Sequence, residues 1–147
     1  MKPVCMHRGV TLVELLTVVV IVAILSSIAV PTYRSYVLRA QRTEATATLL
    51  RAQAAQEKFF AQNNIYAEDL AAAPPAGLGI PAVSASGYYD LRAEILEEGS
   101  GYRIVASPRA DGGQRDDDKC RAFTVDHNGL KAAKDSSDRD STRECWR

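Results

Sequence analysis

The chain is short of the residues from which enzymes build most of their chemistry. Its 147 residues hold two histidines, His7 and His127. His7 precedes the first apolar run and His127 sits in a turn-forming stretch, so neither stands beside a candidate nucleophile. No phosphate-binding glycine loop occurs. These shortages argue against an enzyme and against a cofactor. Charge of one sign is also lacking: 18 basic and 18 acidic residues give a formal net charge of zero. No large field points to nucleic acid or to an acidic substrate. Cysteine is scarce and odd in number, at Cys5, Cys120 and Cys145. No CxxC pattern exists, so zinc is a weak reading and no metal site is expected. Glycine and proline are missing from Tyr33 to Asn63. That stretch has none of the usual punctuation of turns and loops.

One long apolar run dominates what is present. Val10 to Val30, "VTLVELLTVVVIVAILSSIAV", covers 21 positions and contains a single charged residue, Glu14. About 20 apolar residues cross a bilayer as a helix, whereas a secretory signal core takes roughly 7–15. Lys2 and Arg8 precede the run, and Arg34, Arg39 and Arg42 follow it. Counted alone, these charges favour neither orientation. The three arginines read as interfacial anchors and filament salt bridges, or as contacts to phospholipid. Glu14 is the anomaly, because a carboxylate at mid-bilayer costs about 2.5–3.5 kcal/mol on insertion scales.

Good helix formers resume after Pro31 and continue to about Asn63. Leu38, Ala45, Leu49, Ala52 and Phe59 fall along one helical stripe. One helix of roughly 50 residues, about 75–80 Å long, is therefore expected over 10–63. Its first half is apolar all round and its second half amphipathic, with a kink at Pro31. "AAAPPAGLGIP" marks a linking loop. Beyond it, Tyr89, Leu91, Ala93 and Ile95 alternate with Tyr88, Asp90, Arg92 and Glu94, and Tyr102, Ile104 and Ala106 share a face. Phe123 and Val125 share a face, and Asn128-Gly129 is a strong hairpin signal. Three strands and a short fourth, antiparallel and packed on the amphipathic half-helix, make an α+β fold.

A short basic leader ending in Gly9, followed by "VTLVE" with Glu14 as the fifth residue after it, resembles the class III signal of type IV prepilins. "FFAQNNIYAEDLA" and the terminal "CW" resemble PilE-type minor pilins. The resemblance is strong over 9–63 and moderate beyond. It implies a type IV pilin fold and a cut between Gly9 and Val10 by prepilin peptidase, with N-methylation of Val10. The family's usual first residue is Phe, so Val10 departs from it at a tolerated position. The same likeness implies that Glu14 serves assembly, by pairing with the Val10 amine of a neighbouring subunit. It places a helix-bending proline at Pro31 and a disulfide between Cys120 and Cys145. Cys5 would leave with the leader. The corresponding division is 1–9 leader, 10–30 membrane and filament-core helix, 31–63 amphipathic helix, 64–87 connecting loop, and 88–147 sheet with disulfide-bounded C-terminal region.

The function so implied is that of a minor subunit of a type IV pilus in a Gram-negative bacterium, used for adhesion, twitching motility or DNA uptake. The subunit would sit in the inner membrane with its N-terminus cytoplasmic and its C-terminal domain periplasmic, and would then enter the extracellular filament. A Cys120–Cys145 bridge requires an oxidising compartment, which fits that orientation. Partners would be other pilin subunits, prepilin peptidase, the inner-membrane assembly platform and, before assembly, membrane lipid. Two rivals remain: a type II secretion pseudopilin, which would share the front half but usually lacks the terminal disulfide, and a receptor pilin that binds DNA during natural transformation, which would share nearly everything. DNA contact through Arg103, Arg109, Arg115, Lys119 and Arg121 has a poor electrostatic case, because acids match these bases nearly one for one. Calcium at Asp116, Asp117 and Asp118, or at Asp135, Asp138 and Asp140, is weaker than a solvated mixed-charge loop.

Overall fold

The structure is a computed structural model that describes residues 10–96 and 99–147. The element order is α1 (Leu12–Asn63), β1 (Tyr89–Ile95), β2 (Tyr102–Pro108), a 3-10 turn (Gly113–Asp116), β3 (Ala122–Asp126), β4 (Lys131–Lys134) and the short α2 (Thr142–Cys145). The chain divides into two compact units, Met1–Val37 and Leu38–Arg147, and α1 contributes to both.

In the first unit α1 continues through Pro31. Proline has no N–H, so the Ser27 carbonyl one turn earlier has no backbone donor there. Hydroxyls in this unit turn inward onto their own helix. Thr17 donates to the Val13 carbonyl at 2.8 Å, Ser27 to Ile24 at 2.7 Å and Thr32 to Ile28 at 2.8 Å. Such back-bonding hides the polar atoms and leaves an apolar surface around the helix.

The second unit is built on a four-stranded antiparallel meander in the order β1-β2-β3-β4. Alternation along each strand sends one set of side chains to a common face. Tyr89 and Leu91, then Tyr102, Ile104 and Ala106, then Phe123 and Val125, and finally Ala133 are all buried. The register pairs Ile104 with Ala93 and Val125, and Ala106 with Leu91 and Phe123. These residues form one core with Ala45, Leu49 and Ala52 of α1. The small alanines let the helix lie close to the sheet, and Leu49 is fully buried in the same core.

The buried stripe of α1 is wider than its apolar members suggest. Arg42, Thr48 and Gln56 lie on it as well. Gln56 accepts from the Ala67 N–H at 2.9 Å and donates to the Ala67 carbonyl at 2.5 Å. It thereby pairs backbone groups that would otherwise be costly to bury. The chain from 64 to 88 has no helix or strand beyond an isolated bridge at Val83, yet Ala67, Leu70 and Ile80 are buried. The N–H groups of Leu78, Gly79 and Ile80 donate back to the carbonyls of Asp69, Ala72 and Leu70. Gly77 is required by this fold-back, since a Cβ there would collide with the Asp69 and Ala72 carbonyls.

Candidate assembly site

The site begins at the head of α1. Thr11 occupies the N-cap position, and the Glu14 N–H donates to the Thr11 hydroxyl at 3.2 Å. Thr11 and Glu14 thus hold the two positions of a capping box, Thr-x-x-Glu ahead of an apolar run. A carboxylate in the first turn also faces the positive end of the helix dipole. The head of this helix therefore favours an acid before any partner is considered. Val10 lies just ahead of α1 and is 71% exposed. In the uncleaved chain its nitrogen is a peptide amide; only a cut after Gly9 turns it into an amine. Gly9 lies outside the described residues.

Every Val, Leu and Ile from Val10 to Val30 is at least 48% exposed. Soluble surfaces rarely carry so large a contiguous apolar area. The helix is long and apolar enough to cross a membrane. Tyr33 and Tyr36, both 70% exposed, follow the run, where membrane helices commonly place amphipathic aromatics.

At the other end of the sequence, Cys120 and Cys145 form a disulfide with Cα atoms 5.8 Å apart. It encloses β3, β4 and α2. Trp146 closes the region by donating from Nε1 to the Ala132 carbonyl at 2.8 Å and by meeting Phe123 edge-on. With both thiols bridged, the zinc reading fails.

The acidic loops are occupied by local structure. Asp135 accepts from the N–H groups of Ser137 and Arg139 and pairs with the Arg139 guanidinium. Asp138 pairs with Lys134 at 2.9 Å, and Asp140 holds the Thr142 N–H and hydroxyl. The Arg139 N–H, followed by that of Ser137, keeps the Asp135 carboxyl below the usual range, and Thr142 does the same for Asp140. Among the described residues no three acidic, His or Cys side chains come together as a metal site.

Arg42 departs from the sequence expectation. Read as an interfacial base, it is instead buried in the second unit. Its Nε and Nη2 reach the two Asp117 carboxylate oxygens at 2.7 and 2.8 Å. Gln114 adds a bond to Asp117 at 3.1 Å and the Lys119 N–H another at 3.3 Å. Asp117 lies 75 residues further along the chain, so no local pattern marks the pair. Of the five residues weighed for DNA contact, Arg109 pairs with Asp111 and Lys119 with Glu144. Arg115 and Arg121 donate to backbone carbonyls.

Two families match the sequence. Residues 5–30 match the prokaryotic N-terminal methylation motif. Residues 31–124 match the family described as type IV minor pilin ComP, DNA uptake sequence receptor. Among curated relatives, the type IV major pilin protein PilE1 of Neisseria gonorrhoeae is 34% identical over 84 residues, covering 57% of this chain and 37% of that protein. The fimbrial protein EcpC of Eikenella corrodens is 31% identical over 106 residues, covering 72% of this chain and 65% of that protein. The chain thus spans less than two thirds of the length of these relatives. A solved type IV pilin from Shewanella oneidensis is 22% identical with a TM-score of 0.46, over 64% of this chain and 89% of that one. With a family match over most of its length, an apolar N-terminal helix carrying the methylation motif and a helix-on-sheet domain, the chain belongs to the type IV pilin family.

Proposed function

We propose that the chain is a minor subunit of a type IV pilus, held in the inner membrane by α1 and then packed with other pilins into a filament. One observation carries this reading. The apolar half of α1 is exposed on every side, and its only charge, Glu14, sits at the helix head. Such a helix needs lipid or other helices around it. Head-to-tail contacts between copies that do not close give filaments. Prepilin peptidase cuts after Gly9 and methylates Val10. The N-terminus faces the cytoplasm and the disulfide-bonded unit the periplasm, and an inner-membrane platform drives assembly. In the filament Glu14 pairs with the Val10 amine of a neighbour, and Pro31 supplies the point at which the helix bends.

The test separates the stages. Gly9→Val retains the leader, seen as a precursor by mass spectrometry. Glu14→Gln and Glu14→Ala still insert and are still cut, because losing the charge eases membrane residence. They are depleted from sheared filaments, because the amine of the neighbour is left buried and unpaired, at about 3–5 kcal/mol. Gln preserves the capping position, so a defect shared by Gln and Ala isolates the charge from the cap. Wild-type incorporation of both variants sinks the pairing.

A second reading, a receptor for duplex DNA, is favoured by the description of the family matched over 31–124. Several of its bases are already in ion pairs, which argues against a phosphate-binding stripe. Duplex binding that weakens steeply with salt would establish it.

A further inference from the structure

A basic pocket of about 360 Å3 opens in the second unit, lined by Arg39, Arg42, Thr43, Thr46, Lys119, Glu144, Cys145 and Arg147. Its size is at the lower end of ligand cavities, roughly 300–1,000 Å3. Arg42 is neutralised by Asp117. Among the lining side chains, Arg39, Lys119 and Arg147 remain, against one carboxylate, Glu144. That surplus is unusual in a chain whose charges balance overall.

The pocket already favours an anion. The hydrogen bond from Lys119 holds the Glu144 carboxyl below its usual range, and the charges of Arg42 and Arg147 act in the same direction. Glu144 is half exposed, and its ion pair is with a similarly exposed Lys119 at 2.7 Å. Surface pairs of this kind contribute about 0–1 kcal/mol, so a stronger anion displaces it. Arg39 is exposed and has no ion pair among the described residues. Thr43 and Thr46 also line the pocket.

We propose that this pocket receives the phosphate of an anionic phospholipid headgroup. The fork of Arg39 suits phosphate oxygens, and Lys119 and Arg147 supply point charge. Position favours lipid over other phosphates. Arg39 follows Val30 by nine residues in sequence, with the exposed tyrosines Tyr33 and Tyr36 between them. That order, apolar run, aromatics, then base, is the order of a membrane interface. DNA would instead call for a line of unpaired bases, and Arg109, Lys134 and Arg139 are each paired. The inference rests on Val10–Val30 residing in a membrane, which is tested separately by carbonate extraction of cell membranes.

The experiment uses the full chain in a maltoside detergent. Amide shifts of Thr43, Lys119 and Glu144 are followed during titration with dihexanoyl phosphatidylglycerol, dihexanoyl phosphatidylcholine, inorganic phosphate and a duplex oligonucleotide. Phosphatidylglycerol should shift these three amides saturably. Arg39→Gln and Arg147→Gln should each weaken that binding about tenfold, Arg39→Lys should restore part of it, and Lys58→Gln, outside the pocket, should leave it unchanged. An equal response to phosphatidylcholine overturns the proposal, as does an equal response to inorganic phosphate, which marks a free-phosphate site. A response to the duplex alone assigns the pocket to nucleic acid. Unchanged affinity in Arg39→Gln overturns it as well. None of these failures bears on whether the helix is membrane-resident.

Discussion

Arg42 and Asp117 tie α1 to the turn that leads into Cys120, and both are almost wholly buried. A paired charge in such a place is tolerated; a single one is not. Arg42→Met should cost about 3–5 kcal/mol, with Asp117 left as an uncompensated anion. The double variant Arg42→Met, Asp117→Leu should recover most of that loss. Trp146 is the one tryptophan of the chain, so denaturation of the second unit can be followed by its fluorescence. A loss below about 1 kcal/mol in the single variant would show that the pair bears little on stability. The residue scale is also where the sequence was least legible. Arg42 looked interfacial because its neighbours in sequence, Arg34 and Arg39, are bases near an apolar run. Its partner stands 75 residues away. Gln56 was missed for a similar reason, since a stripe counted by apolar residues passes over a buried amide that clamps a backbone. The Thr11–Glu14 capping box, in contrast, was written plainly in "VTLVE".

At the scale of elements, legibility was high wherever one period governed the chain. Alternation marked β1 and β2, Asn128-Gly129 marked the β3–β4 turn, where Gly129 has φ 76°, and the unpunctuated run after Pro31 marked a continuing helix. The segment 64–88 had no period to read, because its order comes from carbonyls that Gly77 allows the chain to approach. The disulfide acts at this scale. It closes a segment with a sequence separation of 25 that holds β3, β4 and α2. In the chain-entropy view a loop of that size contributes about 3.5 kcal/mol. Replacing Cys120 and Cys145 together by alanine should lower the stability of the second unit by about that amount, measured by the same Trp146 fluorescence. A change under about 1 kcal/mol would mean that Trp146 and the Asp140–Thr142 bonds hold the region without the bridge.

Across the whole molecule, four exposed carboxyls and the partly buried Asp135 share one direction of shift. Backbone N–H groups of Ala72 and Ala71 lower Asp69, Arg109 lowers Asp111, the Arg139 and Ser137 N–H groups lower Asp135, Thr142 lowers Asp140, and Lys119 lowers Glu144. A carboxyl lowered in the folded state contributes stability that is present above its ordinary value and lost as pH falls through the folded one. The melting temperature of the second unit should therefore be flat above roughly pH 5 and fall below roughly pH 4. A scan by calorimetry in detergent checks this, and a melting temperature that rises on acidification would contradict it. Four of the five groups lie between Asp111 and Glu144, so the loss should centre on the disulfide-bounded end. The meander carries a further consequence, for the order in which the chain folds. Each strand pairs only with its neighbour in sequence, and the bridged cysteines flank the last hairpin. Loops closed early are short, so the sheet can assemble on local contacts. The Arg42–Asp117 bond, in contrast, closes a separation of 75 residues. Docking of the helix onto a preformed, already oxidised sheet is accordingly the late step, and a subunit caught before it would expose Leu49 and Phe123 together.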